Sequence, residues 1–295
     1  MTIDIEHLRR WTGRTEVATD LAGPEPLARL AALLDHDRPP WPDAQVVPLG
    51  HWLNFLPRAR QSELGPDGHP RRGGFLPPVP LPRRMWAGGS LTFHTPIPLG
   101  AELERHSTIE AVAAKTGRSG SMVFLTLHHQ VRVGGKTAVE EQQDIVYREM
   151  PARDNTSVTT TAPPAPETKL PLPTWATSRS VDEVQLFRFS ALTFNAHRIH
   201  YDRDYCRDVE GYPGLVVHGP FIAMLLVDHF LRRSPGARIR KFSFRARAPL
   251  FANEPFQLCM AEEHGGTNLW TLDRNGSMSM TATLESDGES RVSPL

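Results

Sequence analysis

Residues 194–202 read FNAHRIHYD, which places Asn195, His197, His200 and Asp202 in one short segment just past an apolar stretch. Such side chains suit a metal site, a general-base site or a plain polar loop. The metal reading would enlist His197, His200, Asp202 and His218, whose types fit zinc or another divalent ion. Against it, the segment has no HExxH or cysteine-rich ligand set, and thirteen histidines in the chain make chance pairs common. The general-base reading needs only an imidazole with an unperturbed pKa near working pH. Downstream, residues 216–231 read VVHGPFIAMLLVDHFL. Gly219-Pro220 suits a helix start, since proline is tolerated in the first turn and glycine permits close backbone approach. Free N–H groups and the positive end of the helix dipole gather there and stabilise charge developing on a carbonyl oxygen. The plainer alternative is that Gly219 relieves crowding at a buried helix end.

The elements that must position these residues are legible in part. The helix starting near Gly219 is apolar nearly all round, so it is expected to be buried and wrapped by a sheet. The two halves of the chain look alike. In the first, EPLARLAALLD (25–35) sets Leu27, Leu30, Ala31 and Leu34 on one helical face. An extended segment over 88–103 follows, then strands over 121–133 and 137–149 joined by a Gly134-Gly135 turn. In the second half, the helix is followed by 241–256, where Phe244 and Pro249-Leu250 mirror Phe93 and Pro98-Leu99. Strand patterns over 256–265 and 277–286 complete it. A helix followed by antiparallel strands, twice over, reads as an α+β architecture with a duplicated unit.

Residues 151–175 are rich in proline and threonine and lack periodicity, which predicts a linker. It would separate an N-terminal repeat, 1–150, from a C-terminal repeat, 176–295. The irregular stretch 56–82 is too long for an ordinary loop within a domain, and such loops are usually functional or mobile.

Composition removes several function classes. Lys plus Arg equals Asp plus Glu at 33 each, without the net basic footprint expected of a nucleic-acid binder. The longest apolar run, 215–231, is interrupted by His218, Pro220, Asp228 and His229, which argues against a membrane span. The first twenty residues carry acids and no apolar core, so a signal or transit peptide is not expected. Cys206 and Cys259 do not make a disulfide framework, which fits a reducing, cytoplasmic setting.

Residues 187–202, FRFSALTFNAHRIHYD, with GYPGLVVHGPF at 211–221, resemble the hydratase motif of the MaoC-like enoyl-CoA hydratase superfamily. The closest likeness is to the branch of hydroxyacyl-thioester dehydratase type 2 and the mesaconyl-C4-CoA and itaconyl-CoA hydratases. PRRMWAGGSLTFHTPIPLG (82–100) shares it, so the resemblance spans most of the chain. It implies a double hot-dog fold: two repeats, each a central helix wrapped by an antiparallel sheet, with one working site per pair. It also implies reversible addition of water to the 2,3-double bond of an acyl-CoA, a C5 dicarboxylyl-CoA in particular. Hydroxyacyl dehydration on an acyl carrier protein is the alternative, and a non-catalytic thioester-binding module is the alternative of another class. No cofactor or metal is implied, because addition to a polarised alkene needs only a base and an oxyanion hole. A homodimer is admitted.

On that resemblance His200 is the catalytic histidine and Gly219 the residue whose N–H polarises the thioester carbonyl. Asn195 stands where the wider superfamily has aspartate, and an amide can orient water but cannot take a proton. His197, Asp202 and His218 are the candidates for the missing acid/base, with His218 also set against substrate. The N-terminal repeat lacks the motif and is expected to shape the acyl pocket. Arg84 and Trp86 are candidates to line that pocket, with Arg84 facing a distal carboxylate. Arg245 and Arg247, within the basic cluster 232–248, are candidates for the CoA phosphates.

Overall fold

The structure, a computed structural model, describes residues 3–117, 120–150, 172–263 and 266–287. Most of the predicted linker, 151–171, lies outside the described residues. Its last residue, Trp175, opens a strand.

Ten strands make one antiparallel sheet. In chain order they are β1 (Thr15–Leu21), β2 (Arg83–Phe93), β3 (Glu102–Gly117), β4 (Gly120–Val133), β5 (Lys136–Arg148), β6 (Trp175–Arg179), β7 (Arg238–Ala246), β8 (Phe256–Glu263), β9 (Gly266–Leu272) and β10 (Met278–Asp287). Their spatial order is β1-β3-β4-β5-β2-β7-β10-β9-β8-β6. Read outward from the central β2–β7 pair, the two halves follow the same path. The offset that aligns Phe93 with Phe244 also aligns Leu91 with Phe242, and those two face each other across the central pair. The halves therefore share one sheet, built from a duplicated unit.

Local chemistry explains the strands. In β4 the buried residues Val123, Leu125, Leu127, His129 and Val131 alternate with partly exposed ones, the period-2 pattern of a strand with one covered face. Gly134 and Gly135 both adopt positive φ, 54° and 78°, as a two-residue hairpin demands. The extended segment predicted over 88–103 is two elements, because β2 ends at Phe93 and β3 begins at Glu102.

Four helices accompany the sheet among the described residues: α1 (Ile5–Arg9), α2 (Pro24–Leu33), α3 (Glu183–Thr193) and α4 (Gly219–Arg233). Every residue of α4 from Phe221 to Leu231 is buried, and they share a core with Phe242, Phe244, Leu258, Met260 and Leu284 of the sheet. Asp228 accepts from His36 at 2.5 Å and from Arg232 at 2.7 Å, and the His229 ring stacks on Trp175 at 4.1 Å although its Nε2 has no hydrogen-bond partner among the described residues.

One expectation is corrected. The helix at 25–35 is present as α2, but its counterpart is α3, not α4. Each follows the first strand of its half, and the two pack against one another. Within the first half, Gln45 bridges Pro98; within the second, Val216 bridges Phe251. After the second bridge comes α4; after the first come, among the described residues, only the 3-10 turns Gly50–Leu53 and Gln61–Glu63 within the chain running to β2. The N-terminal half thus lacks the long central helix. An amphipathic decamer looks like any buried helix in one dimension; only strand order reveals its place.

Candidate active site

α3 is fixed at its start by a capping box, Asp182 with Gln185, and ends where Phe194 turns into left-handed backbone at φ 48°. That reversal throws Asn195 to His200 back towards α4. The Asn195 amide oxygen accepts the His197 N–H at 3.0 Å, and the Asn195 N–H returns to Ser190 O at 2.9 Å. Asn195 therefore shapes this turn through the same oxygen that could have oriented water. Asp202 is committed too, since it takes the Arg198 fork at 2.7 and 3.0 Å and the Tyr205 N–H at 2.9 Å.

His200 lies in a 3-10 turn and is almost fully buried, at 6% exposure. Its Nδ1 is 2.7 Å from the Val216 carbonyl, and a carbonyl only accepts, so Nδ1 carries the proton. Nε2 is then the basic nitrogen. The Val216 N–H donates to Ile199 O at 2.9 Å, a second tie between the segment carrying His200 and the entrance to α4. The expectation of an unperturbed His200 is corrected: burial pushes its pKa down to about 3.

The His218 ring stacks on His200 with centroids 3.6 Å apart. His218 is the N-cap of α4, so the next residue, Gly219, opens the helix directly beside His200. Gly219 and Pro220 are only half-buried, and a Cβ on Gly219 would lie 3.8 Å from the Trp86 carbonyl. The free N–H groups of a helix start therefore follow directly on the residue whose ring stacks on His200. His218 itself is 1% exposed, with Nε2 on the Ser190 hydroxyl at 2.9 Å and its ring against that of His200. Its Nδ1 has no hydrogen-bond partner among the described residues.

Trp86 packs against Trp52 and Phe244 and donates to Gly88 O, which leaves its carbonyl towards Gly219. Consecutive strand residues project to opposite faces. Arg83 is held by Glu210 at 2.9 Å and lies over the Tyr212 ring. Half-buried Arg84 has neither a carboxylate nor a hydrogen-bond partner among the described residues, and its charge depresses both His69 and His197.

The basic cluster does not form one patch. Arg240 and Lys241 pair with Asp287 and Glu285, and Arg232 with Asp228. Arg245 and Arg247 line a shallow groove with Ser243, Phe244, Asn268, Thr281 and Thr283. No contact links either arginine to His200 or Gly219 among the described residues.

Sequence reasoning missed Asp67 and His69. The loop after the first-half 3-10 turn crosses to the catalytic segment, where Asp67 O accepts the Arg198 N–H and Pro66 O its guanidinium. Asp67 accepts His69 Nδ1–H at 3.1 Å. The His69 ring lies 4.1 Å from His197, whose ring lies 5.4 Å from His200. The only signal was the loop's length.

The metal set read from sequence is not assembled, since Asp202 serves Arg198 and His218 serves Ser190. Among the described residues Asp67, His69 and His197 bring ligand-type atoms within 4.8 Å of one another. Two guanidinium groups bear on that cluster, Arg72 and Arg84, which opposes a cation and favours an anion.

No helix among the described residues is long and apolar enough to cross a membrane. A family model for hydroxyacyl-thioester dehydratase type 2 matches residues 49–252. The chain is 44% identical to a mesaconyl-C(4)-CoA hydratase of Chloroflexus aurantiacus, over 94% of this chain and 97% of that protein. It is 28% identical to the mitochondrial hydroxyacyl-thioester dehydratase type 2 of Schizosaccharomyces pombe, over 88% and 92%. Among solved structures it is similar to a Mycobacterium tuberculosis protein described as a double hot-dog, with TM-score 0.57, 13% identity and coverage of 93% and 96%. The duplicated sheet, the buried central helix and these likenesses agree: the chain belongs to the hydroxyacyl-thioester dehydratase type 2 family, hydro-lyases of double hot-dog fold.

Proposed function

We propose that the protein reversibly hydrates the α,β-double bond of an acyl-CoA whose acyl chain bears a second, free carboxylate, as mesaconyl-C4-CoA and itaconyl-CoA do. The observation that carries the chemistry is the tautomer-fixed His200 ring stacked on the residue that caps α4. The relative at 44% identity supports the acyl class.

In this reading His200 Nε2 takes a proton from water as the water oxygen bonds to the carbon β to the thioester. The alkene electrons move to the thioester oxygen, and the enolate accepts a hydrogen bond from the Gly219 N–H. The His200 imidazolium then returns the proton to the α carbon, so one water is added and the base is restored. The negative enolate beside His200 favours the imidazolium that burial alone disfavours. Arg84 receives the free carboxylate, because its planar fork has no hydrogen-bond partner among the described residues and matches that group. The N-terminal half supplies the acyl end of the pocket and the C-terminal half the base. The protein works in the cytoplasm, where Cys206 and Cys259, both buried and free, stay reduced.

His200→Ala is expected to lower kcat by roughly 10²–10⁴ with the fold retained. Loss of the conjugated thioester absorbance of mesaconyl-C4-CoA is the measurement, and near-normal turnover would remove His200 from the role. The family description favours a second reading, dehydration of 3-hydroxyacyl chains on a carrier protein. Carrier-linked hydroxyacyl substrates outrunning dicarboxylyl-CoAs in kcat/KM would establish it instead.

A further inference from the structure

The loop replacing the central helix of the N-terminal half is not packed at random. Gly68 has φ +89°, and a Cβ there would fall 1.8 Å from the Ala196 carbonyl oxygen. Together with the Asp67 and Pro66 contacts to Arg198, this close approach sets the loop against the segment carrying the base. It delivers one carboxylate and one imidazole. The other carboxylates near the catalytic segment are engaged, Asp202 by Arg198 and Glu210 by Arg83. Asp67 instead orients His69, fixing the proton on Nδ1 and leaving Nε2 on the opposite ring edge. His69 is 15% exposed, more open than His197 or His200.

We propose that Asp67 and His69 form, with Arg84, a clamp that recognises the free carboxylate of the acyl chain and takes up a proton as that anion binds. The inference rests on the hydratase reading above and adds the residues that select the acyl class. Charge explains the coupling. The groups facing His69 are Asp67 and Arg72 from its own loop, Arg84 from β2 and His197 from the catalytic segment, with His200 beyond. The Arg72 guanidinium is spent on the carbonyls of Val79, Leu81 and Pro82. Burial and then the Arg84 charge hold the His69 pKa below the ordinary imidazole value. An incoming carboxylate offsets Arg84 and adds attraction, so His69 gains a solvent proton on Nε2. It then donates to the ligand through Nε2–H and to Asp67 through Nδ1–H. Asp67 and the ligand together balance Arg84 and the imidazolium.

The test compares mesaconyl-C4-CoA with crotonyl-CoA, which has no second acid, on the full chain. His69→Gln is expected to cut the ratio of their kcat/KM values at least about 10-fold, mainly through KM for the dicarboxylate. Asp67→Asn, which keeps the shape of the pair, should move the ratio the same way. Calorimetry with the unreactive pair succinyl-CoA and butyryl-CoA, in buffers of differing ionisation enthalpy, should show about one proton taken up with the former only. His69→Gln should abolish that uptake. Equal losses on both substrates would overturn the clamp, as would inactivation of the wild type by EDTA, which would make the same residues a metal site. A wild type that hydrates crotonyl-CoA but ignores mesaconyl-C4-CoA would defeat the substrate reading itself, a distinguishable failure.

Discussion

His200 is defined by three local constraints: a donated hydrogen bond, a stacked ring and nearly complete burial. Burial pushes its pKa down to about 3, so the imidazole stays in its basic form across the physiological range. The sign is direct: protonation disables the base, and a depressed pKa moves that loss to lower pH. The acid limb of kcat/KM for crotonyl-CoA, which carries no second acid to couple to His69, is therefore expected to be flat from pH 7 to about 5, where an ordinary histidine would be mostly protonated. A midpoint close to 6.5 would assign the base to another group. His200 and Gly219 were legible as candidates because each sits in a short motif whose spacing survives in one dimension. The pKa was not, since it depends on the ring of His218 and on walls that fold in from elsewhere. Asn195 was legible as a departure, but its engagement by the His197 N–H depends on the turn at Phe194.

Between elements, the decisive contact is the loop from the first half lying on residues 196–198. Gly68→Ala meets both a backbone oxygen and a left-handed φ, so it is expected to destabilise the fold by about 1–3 kcal/mol. Gly100, at φ +82° with open space around it, is the control: its alanine variant should cost less. Urea unfolding midpoints make the comparison, and equal shifts would show that the loop can retreat from Ala196. Sequence patterning found β4, β5 and the Gly134-Gly135 hairpin because each is a local signal. It missed β1 and β6, short strands at the two sheet edges, β9, and all of β3 but its first two residues. It could not place the loop, because Asp67 and Arg198 meet only after both halves fold.

Over the whole molecule, the buried imidazoles make stability a function of pH. His197, His200 and His218 all have folded pKa values below the ordinary 6.5, chiefly through desolvation. The unfolded chain binds their protons near 6.5, so stability is complete above that value and declines as pH falls towards the folded values. Each contributes a slope of up to about 1.4 kcal/mol per pH unit in that window. The urea midpoint is expected to drop steeply between pH 6.5 and 5, and His218→Phe should flatten the decline. A midpoint constant over that range would contradict the burial of these rings.

The sheet repeats one strand path on either side of β2 and β7, yet among the described residues only one half keeps a long central helix. Doubling leaves room for division of labour: one copy retains the helix beside His200, and the other has in its place the loop that we propose reads the acyl tail. Substrate range can then be retuned by swapping residues 54–82 while the chemistry stays untouched across the seam.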